Sequence, residues 1–128
     1  MTGFHAPIEQ QTLKNEYFRK VLFTGKNMQL VLMTLQPNED IGMEVHEEHD
    51  QFFRFEAGVG KVVIDGTEYA VKDGDVVVVP AGAQHNIINV SETETLKLYT
   101  IYAPPEHADG TVHATKAAAM ADDEHYQG

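Results

Sequence analysis

Two short segments of the chain carry side chains that could bind a metal ion. The first, residues 44–51, reads Glu-Val-His-Glu-Glu-His-Asp-Gln, and the second contains His85. Alternate residues of a strand point to the same face, so Glu44 and His46 would share one face. Imidazole nitrogens and carboxylate oxygens are common ligands of divalent transition metals. These residues therefore predict a metal site if the fold brings His85 to the other two.

The segment 74–89 contains the elements that would position His85. Its four consecutive valines, Val76–Val79, cannot all face water, so we predict a strand covered on both faces. Pro80 ends this strand because it has no N–H to donate, and Gly82 permits a positive φ in the reversal that follows. His85 would then open the next strand, where both neighbouring strands fix the direction of its imidazole.

Turn residues divide the rest of the chain into short strands, with no helical pattern before the end. We predict strands at residues 17–23, 28–35, 41–46, 51–56, 61–64, 67–71, 76–79, 85–89 and 94–102, and an alanine-rich helix at 117–124. Asp65-Gly66 predicts a tight hairpin. Both alternating sets of positions in strand 28–35 are apolar, so both of its faces should be buried. This pattern predicts an all-β sandwich or barrel.

Composition and charge limit the partners of the chain. With 128 residues it is long enough for one domain, and the absence of cysteine excludes disulfides and thiolate chemistry. Its net charge of −11 argues against nucleic acid and anionic membranes as partners and favours a metal cation. The apolar runs are too short to span a membrane, so we expect a cytoplasmic protein that binds a small molecule.

Only two arginines are present, Arg19 and Arg54, so few cations are expected near a lumen. This disfavours a sugar phosphate and favours a neutral or metal-chelating carboxylate substrate. The remaining histidines lie in polar or terminal segments and are predicted at the surface; they are His5, His107, His113 and His125. For His107 and His113 the barrel mouth is an alternative position.

The spacing of the second segment resembles a known sequence motif. Gly74-x5-Pro80-x-Gly82-x2-His85-x3-Asn89 is similar to the second motif of the cupin superfamily at every defined position. The first cupin motif, two histidines one residue apart and then an acid and a glycine, is matched in part. Glu44 and His46 stand where the paired histidines would be. Counting back seven residues from Gly58 places Gln51 at the position of the acid.

This resemblance implies a double-stranded β-helix, or jelly-roll barrel, with a metal ion at its centre. The implied ligands are four residues, Glu44, His46, Gln51 and His85. The metal would be a divalent transition ion such as Fe, Mn, Ni or Zn. Two other registers stay open, in which Glu48 or His49 takes the place of Glu44.

The resemblance also implies a function. Some similar small cupins are described as mannose-6-phosphate isomerase-like, which implies an isomerase or epimerase. The metal would polarise a carbonyl or enediolate oxygen, and Glu44 or Glu48 would move a proton. Two alternatives are an Fe(II)-dependent dioxygenase with the same ligands and a non-catalytic module that binds a small molecule.

The expected organisation has three parts, an N-terminal arm (1–14), a cupin barrel (15–104) and a C-terminal extension (105–128). Strand 28–35 is long and apolar for an exposed sheet edge, and such edges are usually covered. We therefore expect a homodimer formed through this strand or through the N-terminal arm.

Overall fold

The computed structural model describes residues 2–127 as two antiparallel sheets with a short helix near each end of the chain. Its elements are α1 (Ile8–Lys14), β1 (Arg19–Thr24), β2 (Gln29–Leu35), β3 (Glu44–Val45), β4 (Asp50–Ala57), β5 (Val59–Ile64), β6 (Thr67–Lys72), β7 (Val76–Val79), β8 (Gln84–Asn89), β9 (Leu96–Ala103), β10 (Val112–His113) and α2 (Lys116–Ala121). The strand order is β10-β1-β2-β9-β4-β7 in one sheet and β3-β8-β5-β6 in the other. The predicted all-β jelly roll with a short C-terminal helix is confirmed.

The hydrophobic core lies between the two sheets. Phe53, Phe55 and Leu98 enter it from the six-stranded sheet, and Val62 and Ile87 enter it from the four-stranded sheet. These side chains are almost completely buried. Burial of one such side chain stabilises the fold by about 1.5–3 kcal/mol. The sheets are therefore held together by side chains that alternate inward along each strand.

The two predicted turns are present. Asp65 and Gly66 both have positive φ, 46° and 84°, in the two-residue loop between β5 and β6. Such a pair matches the right-handed twist of the strands that it joins. After β7 the chain reverses through Gly82, whose φ is 87°. This reversal delivers His85 to β8, one residue after that strand begins.

The expectation that β7 is covered on both faces is wrong. Val76 is 48% exposed and Val78 is 58% exposed, whereas Val79 is buried. The reason is topological, because β7 is an edge strand of the six-stranded sheet. Its alternate side chains point out of the sandwich, and no segment within residues 2–127 buries them.

The prediction for strand 28–35 is confirmed for burial and wrong for position. Most side chains of β2 are buried, but the strand lies between β1 and β9 and is not a sheet edge. On its outer side, Phe4 and Ile8 line one groove together with Met28 and Leu30. The N-terminal segment of the same chain therefore lies over this face.

The ends of the chain contribute more structure than expected. Within the N-terminal arm predicted at 1–14, Ile8–Lys14 forms α1, with Thr12 fully buried. In the C-terminal extension, β10 pairs with β1 through Arg19 and His113. Neither helix among the described residues is long and apolar enough to cross a membrane.

Candidate metal centre

Glu44, His46 and His85 lie together at the edge of the four-stranded sheet where β3 pairs with β8. The pairing of β3 with β8 sets Glu44 directly opposite His85, and His46 follows on the same face of the chain as Glu44. One nitrogen or oxygen atom from each of the three residues lies within 4.8 Å of the other two. Across residues 2–127 this is the one group of three such side chains that could hold a metal ion.

The hydrogen bond of His85 leaves one ring nitrogen available to a ligand. Nδ1 lies 3.1 Å from the carbonyl oxygen of Ala83, so the Nδ1–H donates to that oxygen. In the neutral ring, Nε2 then keeps its lone pair. Metal-binding histidines commonly use one nitrogen for the metal and the other for such a bond.

His46 presents a buried acceptor that has no partner. Its Nε2 makes no hydrogen bond and lies 3.7 Å from Oε2 of Glu44. Burial, helped by the neighbouring His85, lowers the pKa of His46 to about 4. The ring is therefore neutral near pH 7, and the tautomer with its proton on Nδ1 would offer the Nε2 lone pair to a cation. A buried ring nitrogen without a partner is uncommon unless a ligand uses it.

Glu44 is the anionic member of the group. Burial raises the pKa of its carboxyl group, and the charge of Arg19 opposes that rise. A divalent cation between this carboxylate and the two imidazoles would favour the ionised form. The donor set therefore fits a transition metal.

Gln51 also offers an unpartnered acceptor. Its side chain is buried, Nε2 donates to Oγ1 of Thr100 at 3.0 Å, and Oε1 has no hydrogen-bond partner. On β4 it pairs in register with Tyr102, whose ring packs edge-on against His46 with centroids 5.6 Å apart. The amide oxygen of Gln51 thus fits the role of a fourth, neutral donor.

The structure does not bring the two alternative residues into this group. Glu48 is exposed in the loop between β3 and β4. His49 uses both of its ring nitrogens elsewhere, with Nε2 2.9 Å from Oε2 of Glu106 and Nδ1 2.7 Å from the oxygen of Pro104. Of the registers left open by the sequence, the one with Glu44 matches the geometry.

Two residues near the centre, Arg19 and Glu106, were not considered there from the sequence. His107 and His113 were predicted at the surface, with the barrel mouth as an alternative, and both are buried. The expected scarcity of cations is also corrected, because Arg19 lines the same cavity as Glu44. The sequence alternation shows which residues share a face but not which face is inside, so it could not place Arg19 at the centre.

These groups surround a cavity of about 340 Å³ between the barrel and the C-terminal extension, which we call the mouth cavity. Arg19 and Glu44 line its barrel side, and the extension lines the other side with Glu106, His107, α2 and the residues after α2. The cavity gives a small molecule access to the carboxylate of Glu44.

Comparison with known proteins identifies the family. A family model described as a cupin domain matches residues 31–102, more than half of the chain. The chain is 48% identical over 124 residues to the uncharacterized protein YrkC of Bacillus subtilis (strain 168), covering 92% of this chain and 66% of that protein. It is 44% identical over 109 residues to the uncharacterized protein L612 of Acanthamoeba polyphaga mimivirus, covering 82% and 68%.

A solved structure agrees with this result. The crystal structure of BH2720 from Bacillus halodurans matches with a TM-score of 0.92 and 44% identity, covering 94% of this chain and 96% of the other. The chain spans about two thirds of the length of the two curated relatives. Together with the two-sheet topology and the cluster of Glu44, His46 and His85, these matches show that the chain belongs to the cupin family.

Proposed function

We propose that the chain is a metal-dependent enzyme that acts on a small polar molecule. Glu44, His46 and His85 would bind a divalent transition metal, with Gln51 as a neutral fourth donor. The observation that carries this proposal is the approach of three donor atoms to within 4.8 Å, one of them a buried nitrogen without a partner. The cation would be Fe, Mn, Ni or Zn, all of which accept such ligands.

The reaction that fits the proposal is an isomerisation or epimerisation next to a carbonyl group. When bound, the metal supplies a Lewis acid that polarises a carbonyl or enediolate oxygen. The chain itself would hold the substrate in the mouth cavity and exclude bulk water with the C-terminal extension. A proton must also be removed and returned, which requires a second group near the substrate.

Glu106 is better placed for this proton transfer than the residues expected from the sequence. Glu44 is committed to the metal in the proposal, and Glu48 is exposed. Glu106 lines the mouth cavity, and its Oε2 lies 2.9 Å from Nε2 of His49. That contact would let His49 stabilise the carboxylate and share the proton after Glu106 accepts it.

Elemental mass spectrometry of the untagged protein tests the metal site. We expect about one transition metal per chain, and its loss in H46A and H85A while circular dichroism stays unchanged. H5A is the matched control, because His5 is exposed and lies outside the group. If no metal binds even with excess Fe(II), Mn(II), Ni(II) and Zn(II), the enzyme proposal fails and a metal-free binding module takes its place.

A second candidate function follows from the donor set itself. Two imidazoles and one carboxylate are the ligands expected of non-haem Fe(II) oxygenases. Oxygen consumption by the Fe(II)-loaded protein, across a panel of small hydroxy and keto compounds, separates this function from isomerisation. Oxygen uptake with Fe(II) alone would favour the oxygenase. Turnover with Mn(II), Ni(II) or Zn(II) and without oxygen would favour the isomerase.

We also propose a homodimer, through a different surface from the one expected. The outward side chains of β7, Val76 and Val78, are exposed, and Val78 pairs in register with Phe52 of β4. The partner would be a second copy, since a twofold axis brings the same apolar patch together twice. A cytoplasmic location remains part of the proposal and is checked by cell fractionation.

A further inference from the structure

Arg19 is a buried cation without an anionic partner. Its residue is only 8% exposed, and across residues 2–127 no carboxylate oxygen lies within 4 Å of its guanidinium nitrogens. Charged side chains are rarely buried unless they are paired, because the interior solvates them poorly. The position of this charge therefore requires a further explanation.

The contacts of Arg19 orient its side chain and leave donors available. Nη1 donates to Nδ1 of His113 at 3.3 Å, and the guanidinium carbon lies 5.3 Å from the ring centroid of Phe18. His113 in turn donates through Nε2 to Oδ2 of Asp122 at 2.9 Å. Nε of Arg19 is buried without a hydrogen-bond partner. These contacts fix one side of the guanidinium and leave Nε without a hydrogen-bond partner.

The unsatisfied group belongs to the wall of the mouth cavity. Arg19 and Glu44 both line this cavity, so one bound molecule of a few carbon atoms could contact the guanidinium and the metal centre. The other cation in the wall, Lys116, lies 2.7 Å from Oδ1 of Asp40 and is already paired. Arg19 is thus the cation of this wall that lacks a carboxylate.

Two of the acidic side chains that line the cavity, Glu106 and Glu124, lie against donors of the protein itself. Glu124 accepts from Nδ1 of His107 at 2.8 Å and from the amide of Ala108 at 2.6 Å. Glu106 pairs with His49 at 2.9 Å. Two acidic side chains of the wall are thus held by neighbouring donors, and Arg19 is the cation of the described wall that has no carboxylate oxygen within 4 Å.

We propose that Arg19 binds the carboxylate of the substrate, which is therefore a small hydroxy or keto acid. This assignment rests on the proposed function, since the oxygen next to that carboxylate would reach the Glu44, His46 and His85 centre. A carboxylate fits better than a phosphate because one guanidinium edge is already used by His113. A dianion would also be repelled more strongly by Glu44 and Glu106.

Isothermal titration calorimetry with glycolate, glycerate, malonate and inorganic phosphate tests the assignment on the metal-containing protein. We expect wild type to bind at least one carboxylate more tightly than phosphate, and R19Q to weaken that binding about 10- to 100-fold. R54Q is the matched control, because Arg54 is the other arginine and pairs with Glu56 at 2.9 Å away from the cavity. We expect R54Q to bind like wild type.

Two further measurements keep the result decisive. Metal content is measured for every variant, so that failure of the metal site is seen separately from loss of carboxylate binding. If R19Q does not fold, R19K provides the test, because lysine keeps the charge and most of the packing. We expect R19K to bind the carboxylate several-fold more weakly than wild type. Equal carboxylate affinity in wild type and R19K, no carboxylate binding by wild type, or tighter binding of phosphate would each overturn the proposal.

Discussion

At the scale of residues, the candidate metal centre contains buried side-chain atoms that have no hydrogen-bond partner. Nε2 of His46 and Oε1 of Gln51 are both buried without hydrogen bonds. A buried polar atom left unsatisfied costs about 1–3 kcal/mol, so a fold retains two of them only if something offsets that cost. A cation that accepts both lone pairs would do so. The same residues would thus be a local weakness without metal and a source of stability with it.

His107 gives a residue-level prediction about pH. Burial, with the charge of Arg19, lowers the pKa of its imidazole to about 4 from 6.5, even though Glu124 opposes the change. Between these values the unfolded chain binds a proton that the folded protein does not. The stability contribution is therefore fully present above pH 6.5 and is lost as the pH falls towards 4. The part lost between pH 6.5 and pH 5 is on the order of 2 kcal/mol.

Urea denaturation at pH 7.5 and pH 5 measures this effect. We expect wild type to be less stable at pH 5, and H107N to lose a clear part of that difference. His46 has a pKa that is lowered in the same direction, so some pH dependence should remain. H5N changes an exposed histidine and should behave like wild type. Equal pH dependence in H107N and wild type would contradict the prediction.

At the scale of elements, the sequence predicted the strands well and their surroundings less well. Gly82 and Asp65-Gly66 were found because each turn requires a positive φ that few residues adopt. The four valines of β7 were misassigned, because a run of apolar residues does not show whether a strand lies at a sheet edge. That property depends on strand order, which is set by contacts far apart in sequence.

Helix α1 was missed for a related reason. Its seven residues contain only Ile8 and Leu13 as large apolar side chains, too few for a helical pattern. The segment that follows is held by tertiary contacts, in which Nζ of Lys97 and Oγ1 of Thr34 both donate to the carbonyl oxygen of Asn15. Local sequence could not reveal those partners. The cluster of Glu44, His46 and His85 was predictable because each of its two segments has a local pattern of residue types and spacing that resembles a cupin motif.

Gly58 gives a prediction at the scale of strands. It joins β4 to β5 with a φ of 91°, and a Cβ there would overlap the carbonyl oxygen of Thr95 and lie 3.1 Å from Cα of Leu96. G58A should therefore displace the start of β9 and reduce the free energy of unfolding by about 3 kcal/mol or more.

The control for G58A separates steric overlap from backbone strain. Gly66 has a similar φ of 84° but nothing within 4 Å of its Cβ position. G66A should cost only about 1–2 kcal/mol, the price of a left-handed alanine. Urea denaturation of both variants gives the comparison. If G58A lowers the free energy of unfolding no more than G66A does, the contact of the added Cβ with Thr95 does not destabilise the fold, and the prediction is wrong.

At the scale of the whole molecule, the C-terminal extension completes the barrel. His107 contacts Glu124 at 2.8 Å and His113 contacts Asp122 at 2.9 Å, which ties the last residues to the wall of the mouth cavity. The extension also supplies β10 to the six-stranded sheet. The cavity is therefore made jointly by the barrel and by a segment beyond the residues that match the cupin family model.

The proposed dimer yields a prediction for the assembled protein. The outward face of β7 carries Val76 and Val78, and Arg54 on the neighbouring strand is balanced by Glu56, so two copies can meet there without like-charge repulsion. We expect sedimentation velocity to show a dimer at 10–50 μM, roughly the range in which modest interfaces associate.

V76E/V78E should sediment as a monomer, because four carboxylates would be buried together. Y69E alters an equally exposed side chain on β6 and should remain dimeric. A monomeric wild type would refute the dimer, and a dimeric V76E/V78E would place its interface elsewhere.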